Sequence, residues 1–360
     1  MGLMRLIIAG GGSGGHFFPA IAIINEILKR NKGIEYMYVG SETGIEAKKW
    51  TLPVEHRRLL DVRGFKNKTF REQVNAIILL FNAMTESRNI INEFKPDIVL
   101  GVGGYASFPI VMTAAMMHIP CAIHEQNSVP GLANKLLSRF VKKVFISFEA
   151  SMKYLPQNKV ILTGLPIRYT PMKSKKLYSG TKTVLILGGS QGAHQINKMM
   201  IDALKDMQDL KDKIKLIHQT GASEKADVEQ AYKRYGFNAQ VFDFIDDMEG
   251  VFEKADLCVS RAGASTLFEL AAYGIPSILI PYPSATSDHQ AINANEVARY
   301  GGAIIIPAMT REPDLLIKIL HELINDTNRL ERMSEAMLKW AKPNASARIV
   351  DELSALAGEV

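Results

Sequence analysis

The chain has 360 residues, 47% of them hydrophobic, which is too long for one ordinary domain and enough for two full cores. Its net charge of +6 favours an anionic ligand or surface, and no apolar run approaches the roughly 18 residues that span a bilayer, so a soluble protein is expected. Two cysteines, Cys121 in "IPCAI" and Cys258 in "DLCVS", exclude a disulfide scaffold and suit reduced core positions in the cytoplasm; the N-terminus enters a strand directly, without a signal peptide.

Short β-branched runs open the chain: "RLIIAG", "IEYMYVG", "PDIVLGV", "PCAIHE", "KVFISF" and "KVILTG", separated by stretches with helical period. The first runs into "GGGSGGH", where Gly10, Gly12 and Gly15 fit G-x-G-x-x-G before a helix with Phe17, Ile21, Ile24 and Leu28 on one stripe. Glycines there let a backbone approach an anion at a helix N-terminus. A dinucleotide site also needs an acid at the end of the second strand to hold the ribose, but Gly40 stands there and Glu42 comes late. A tight turn with no ligand is the plainer alternative.

Next comes a basic run, "RRLLDVRGFKNKTFR", with Arg57, Arg58, Arg63, Lys66, Lys68 and Arg71. It leads into a helix whose apolar stripe holds Val74, Ile78, Phe81 and Met84. A fully buried helix beside a solvated charge cluster is the commoner meaning of this pattern. A peripheral membrane surface is the other.

A proline- and lysine-rich stretch, residues 163–183, has linker composition. The second half then repeats the plan with "KTVLILGG", "KIKLIHQT", "AQVFDFI", "ADLCVS", "PSILIPY" and "GAIIIP". Alternation throughout predicts an α/β protein of two Rossmann-like domains, with parallel sheets facing each other across a cleft. The boundaries fall at 1–163 and 164–341, with a terminal helix over about 342–360 returning to the first domain. Glycine turns recur at "LGGSQGA" and "VSRAGASTLFE", and "SDHQAINANE" sets Asp288, His289 and Gln290 at another strand-to-helix turn. Such turns lie where open α/β sheets bind ligands. Thr266 and Glu269 also have the spacing of a capping box, so cap and ligand roles stand equal on local chemistry.

The motifs "GGGSGGHFFPA", "GVGGYAS", "HEQNSVPGLANK", "GLPIR", "GGSQGA", "FIDDM", "SRAGASTLFE" and "DHQAINA" occur in the order found in the MurG family of peptidoglycan glycosyltransferases, which the whole chain resembles. Ser13 stands where that family usually has threonine, and Leu165 where asparagine is common. The resemblance implies a GT-B fold, with donor in the C-terminal domain and acceptor mainly in the N-terminal one. It implies inverting transfer of N-acetylglucosamine from UDP-GlcNAc to the C4 hydroxyl of undecaprenyl-linked lipid I, giving lipid II. No cofactor, metal or nucleic acid is implied; no two aspartates are two apart, so a D-x-D metal pair is absent from the sequence. Attachment to an anionic membrane surface on the cytoplasmic face, and a place in a cell-wall synthesis complex, also follow from the resemblance.

Carried over residue by residue, Glu269 would accept from the ribose hydroxyls, and Ala264, Ser265 and Thr266 would meet the diphosphate, with Leu267 and Phe268 in the same stretch. Ile245 would contact the uracil through its backbone. Arg168, Ser190, Asn127 and Gln290 match donor contacts, helix capping being the alternative for Asn127 and Gln290. Ser13, Gly14 and Gly15 would meet the donor from the first domain. His16 is the expected base for the acceptor hydroxyl, since histidine accepts protons near neutrality. His124 and Glu125 are rival bases. Rival functions are a UDP-GlcNAc 2-epimerase, a diacylglycerol glycosyltransferase, a nicotinamide oxidoreductase and a non-enzymatic nucleotide-binding module.

Overall fold

The structure, a computed structural model, describes residues 3–30, 33–48, 50, 52–62, 70–168, 178, 180–189, 192–283, 288–310 and 312–358, with only the backbone of 70–78. Two compact units divide it: Met1–Arg168 with Lys342–Val360, and Tyr169–Ala341.

The first unit holds a seven-stranded parallel sheet of β1 (Met4–Ala9), β2 (Ile34–Ser41), β3 (Arg57–Leu60), β4 (Ile98–Gly101), β5 (Cys121–Glu125), β6 (Lys143–Ile146) and β7 (Val160–Leu162). Their spatial order is β3-β2-β1-β4-β5-β6-β7. Order therefore reverses between β1 and β4, whose last residues pair as Ala9 with Gly101. That places the turns after both strands side by side, at the position where open α/β sheets bind ligands. Central strands such as β5 are buried on both faces, so they read as continuous apolar runs rather than alternating ones.

The edge strand β3 departs from the sequence reading, which set Arg57 and Arg58 in a solvated basic run. Arg57 instead pairs in register with Tyr38, donates from Nη1 to Glu46 O at 2.9 Å, and lies over the Trp50 ring. The guanidinium groups of Arg57 and Arg58 both find backbone carbonyl acceptors, which is how two arginines fit an edge strand.

Helix α1 (Gly14–Arg30) buries the expected Phe17, Ile21 and Ile24, but its buried face is wider and shifted: Ile23 and Ile27 are also buried, whereas Leu28 is 49% exposed. The cause is a second partner. The terminal helix Ala345–Gly358 returns to this unit and packs Ile349, Val350, Leu353 and Leu356 against α1, and a salt bridge from Arg30 to Asp351 closes the contact at 2.5 Å.

The second unit is a six-stranded parallel sheet of β8 (Lys182–Leu187), β9 (Ile214–Gln219), β10 (Ala239–Phe242), β11 (Leu257–Ser260), β12 (Ser277–Leu279) and β13 (Ala303–Ile305), ordered β10-β9-β8-β11-β12-β13. Here the reversal lies between β8 and β11, and Leu187 pairs with Ser260. The glycine turns after β8 and β11 thus meet at the sheet's carboxyl end.

Candidate functional site

In the first unit, "GGGSGGH" leaves β1 and enters α1 within a few residues, and partly exposed His16 sits in the helix's first turn. The turn after β4 packs on it. Gly103 and Gly104 have φ of +87° and +82°; a Cβ on the former would fall 2.7 Å from His16 Nδ1, and on the latter 2.1 Å from Gly11 O. Only glycine fits there on both backbone and steric grounds.

His16 is then fixed by a chain of hydrogen bonds whose direction can be worked out. Gln126 places its side-chain nitrogen 2.7 Å from Val102 O, which can only accept. Its amide oxygen therefore faces His16 Nδ1, at 3.1 Å, so Nδ1 must carry the proton. The His16 lone pair is left on Nε2. The same Gln126 nitrogen donates to His124 Nδ1 at 3.0 Å, and His124 Nε2 donates to Gly164 O at 3.0 Å. Burial lowers the His16 pKa below 6.5, outweighing the hydrogen bonds to Gln126 and Val102 and the charge of Glu46, all of which raise it. At neutral pH His16 is a neutral imidazole with an available acceptor nitrogen.

The rival bases are otherwise engaged. His124 is fully buried and its pKa is pushed down to about 4 by that burial. Glu125 is 2% exposed, and its carboxylate accepts from Asn127 N (2.9 Å), Gly131 N (3.2 Å) and Asn134 Nδ2 (2.7 Å). It anchors the 127–134 loop. The Asn127 side chain joins in holding Glu125, and the helix Leu132–Leu137 is capped by Gly131, so Asn127 caps no helix. Arg168 closes this unit with its guanidinium 3.9 Å over the Phe18 ring.

Buried neutral histidines have a consequence for stability. His124 and His218, the latter held by Tyr232 Oη and Asn197 Oδ1 with a pKa of about 3, both bind protons more weakly folded than unfolded. The unfolded chain takes up more protons below pH 6.5, so stability falls as pH drops from 6.5 toward 4. The expected loss by pH 5 is on the order of 1–2 kcal/mol per histidine. Melting temperatures at pH 7 and pH 5 check this, and replacing His218 by phenylalanine should shrink the difference.

In the second unit an open pocket of about 530 Å³ is lined by Gly188, Gly189 and Gly192 of the glycine turn, by Arg261, Gly263 and Thr266, and by Tyr282 and Gln290. A Cβ on Gly192 (φ +78°) would stand 1.9 Å from Thr220 O, so the turn needs glycine there. Helix α8, Ala264–Ala272 (eighth of the α-helices in chain order), starts at Gly263, its N-cap, and Leu267 N is the first amide bonded back, to Gly263 O. The amides of Ala264, Ser265 and Thr266 have no acceptor within the helix, and the positive end of its dipole lies there, a place suited to an anion.

This start corrects the capping-box alternative, because Thr266 is the third residue inside α8 and Gly263, not Thr266, is the cap. Thr266 and Glu269 then share a helix face, Glu269 being 8% exposed. Leu267 and Phe268, expected in the same ligand-binding stretch, bury their side chains, with Phe268 4.4 Å from the Trp340 ring. Most of this nine-residue helix is buried, these two side chains together with Leu270, Ala271 and Ala272. Gln290 caps no helix either; its Oε1 accepts from Tyr282 N at 2.9 Å. Ile245 is buried, with its N–H donated to Gln219 Oε1, while Gln219 Nε2 donates to Gly189 O, both at 2.9 Å.

Arg261 escaped the sequence reading, although "SRAGAS" displays it. Its Nη1 donates to Gln195 Oε1, Ile280 O and Pro281 O, and the guanidinium lies 5.4 Å from the Tyr282 ring centroid. It brings a cation to the pocket wall. Ser190, Arg63, Lys66, Lys68 and the side chains of Arg71, Val74 and Ile78 lie outside the described residues. Of the expected surface stripe, Phe81 is 65% exposed and Met84 half-buried, while Ala83, Ser87, Ile90, Ile91 and Phe94 form the buried face of that helix, Phe70–Phe94. Among the described residues no helix is long and apolar enough to cross a membrane, and no cluster of metal-ligating side chains is found.

Residues 6–146 match the glycosyltransferase family 28 N-terminal domain, and residues 183–352 the family's C-terminal domain. A Geobacter metallireducens protein described as UDP-N-acetylglucosamine--N-acetylmuramyl-(pentapeptide) pyrophosphoryl-undecaprenol N-acetylglucosamine transferase is 41% identical over 358 residues, covering 97% of this chain and 98% of its own. The crystal structure of Acinetobacter baumannii MurG superposes with a TM-score of 0.78 at 29% identity, over 98% of this chain and 99% of that one. A Listeria monocytogenes structure described as a UDP-N-acetylglucosamine 2-epimerase reaches 0.73 at 14% identity, over 100% and 98%, a likeness of fold alone. With both halves matched in order and full-length relatives at this identity, the chain belongs to glycosyltransferase family 28.

Proposed function

We infer that the protein transfers N-acetylglucosamine from UDP-GlcNAc to the N-acetylmuramyl unit of lipid I, forming lipid II. The observation that carries this reading is near-full-length identity of 41% to a relative named for that reaction. The second unit's pocket supplies donor chemistry. The free amides of α8, the Thr266 hydroxyl and the Arg261 cation stabilise charge as UDP departs. The first unit supplies the base. His16 Nε2 takes the proton of the acceptor 4-hydroxyl while that oxygen bonds to the anomeric carbon and the bond to the β-phosphate oxygen breaks, inverting configuration. Glu125 and Gln126 act by holding structure around His16 rather than on the substrate.

Incubation with UDP-GlcNAc, with and without a lipid I analogue, tests the reading through UDP release. Release only with the muramyl acceptor supports it; epimerisation without acceptor, or transfer to diacylglycerol, overturns it. Glu269→Ala should weaken UDP binding by about 10- to 100-fold, the worth of hydrogen bonds to a charged acceptor, and calorimetric titration with UDP checks it. For the lipid-linked acceptor we place exposed Phe81, with Arg63, Lys66, Lys68 and Arg71, at the membrane surface. Co-sedimentation with anionic vesicles should occur at low salt and weaken at high salt.

A further inference from the structure

One glutamine of the second unit spans several of the strand ends around its pocket. Gln195 lies in the first turn of the helix His194–Ala203, which follows β8 and its glycine turn. Its Nε2 donates to Ala308 O at 3.0 Å and to Thr310 O at 2.7 Å, both beyond β13. Carbonyls only accept, so the amide must turn Oε1 the other way, and Oε1 accepts from Arg261 Nη1 at 3.0 Å. Arg261 follows β11, and the same Nη1 reaches Ile280 O at 3.0 Å and Pro281 O at 3.2 Å, beyond β12. A single side-chain amide thus ties together the segments after β8, β11 and β13, and both Gln195 and Arg261 line the pocket.

The choice of acceptors decides what that cation can do. Of the five N–H groups of a guanidinium, Nη1 commits its two to Gln195, Ile280 and Pro281, while Nε and Nη2 find no acceptor among the described residues. All three acceptors are neutral, so Arg261 is oriented without being neutralised. Burial pushes its pKa below the usual arginine value, yet a guanidinium stays protonated in proteins. A partly buried cation held only by neutral groups interacts strongly with an anion that reaches it. A carboxylate in place of the Gln195 amide would hold Nη1 equally well and cancel the charge. Building on the donor role inferred for this pocket, we propose that Gln195 is a positioning residue for the donor diphosphate: it fixes Arg261 through Nη1 and leaves Nε and Nη2 for phosphate oxygens. Both ends of the Gln195 amide are already engaged, so it acts through Arg261 rather than on the ligand.

Binding of UDP and of uridine to the full chain tests this, because the two ligands differ only in the diphosphate. Gln195→Met keeps roughly the volume and loses both ends of the amide. It should weaken UDP about fivefold or more in calorimetry and leave uridine, followed by ligand-observed NMR, within about twofold. Gln195→Glu should weaken UDP about tenfold or more, since its carboxylate pairs with Arg261 and repels phosphate. Being nearly isosteric, it carries the test if the methionine variant does not fold. In an Arg261→Met background, Gln195→Met should change UDP affinity by less than about twofold, since no guanidinium is left to position. A merely structural glutamine would weaken UDP and uridine together, and would do so with or without Arg261. Equal losses for the two ligands, an unmoved UDP-to-uridine ratio, or a full effect of Gln195→Met without Arg261 overturns the proposal and leaves the donor reading standing. A wild type that binds no UDP overturns both.

Discussion

Replacing His16 by alanine should lower kcat by about 100- to 10,000-fold, the usual worth of a positioned general base, with UDP-GlcNAc binding within about twofold of wild type. The separation follows from where the groups reside. His16 belongs to the first unit, and the pocket with Thr266, Arg261 and Gln290 belongs to the second. In the wild type the pH–rate profile should be flat through neutrality and fall only below pH 6.5. Burial keeps the imidazole pKa below that value, and protonation of Nε2 removes the acceptor lone pair. Single-turnover transfer and calorimetry on the same variant separate the two effects. Near-normal turnover in His16→Ala would remove this residue from the chemistry.

Gln126→Met should lower kcat by about 10- to 100-fold through His16 without touching substrate. Methionine keeps roughly the volume but cannot accept from His16 Nδ1 or donate to Val102 O and His124 Nδ1. The His16 proton is then free to move to Nε2, the wrong tautomer for a base. His124 Nδ1 loses the Gln126 donor in a buried place, so about 1–3 kcal/mol of stability should also go. Rescue distinguishes positioning from mere scaffolding: asparagine, which restores the amide on a shorter arm, should recover part of the turnover, and leucine none. Equal activity of all three variants would show that Gln126 does not set the proton.

Much of the architecture is legible in the residues. Continuous apolar runs such as "CAIHE" and "DLCVS" can only be central strands of a sheet covered on both faces, and all six runs of the second half became strands. Local signals failed where the decisive partner is distant in sequence. β3 was hidden because Arg57 and Arg58 look like a charge cluster until Glu46 O and Trp50 are placed beside Arg57. Leu28 looked like core because α1 was read against one sheet and not also against the terminal helix. Thr266 and Glu269 have capping-box spacing, yet the helix starts at Gly263, which leaves the amides of the next three residues without acceptors in the helix.

At the site, motif residues were visible but their working partners were not. His16 stood out as a histidine after five glycines, while Gln126 was passed over within "HEQN" because its neighbours have more familiar chemistry. Glu46 carried no local signal. The clue was indirect: Gly11 lies far in the chain from Gly40 and Gly44, and all three surround one carboxylate.

His16 can act as a base through Nε2 only if its proton sits on Nδ1. Ring-nitrogen NMR of histidine-labelled protein at pH 7, with the His16 signals assigned by their loss in His16→Ala, reads this directly. Protonated Nδ1 with bare Nε2 is the expected result. An Nε2–H tautomer, or a doubly protonated ring at that pH, would contradict it.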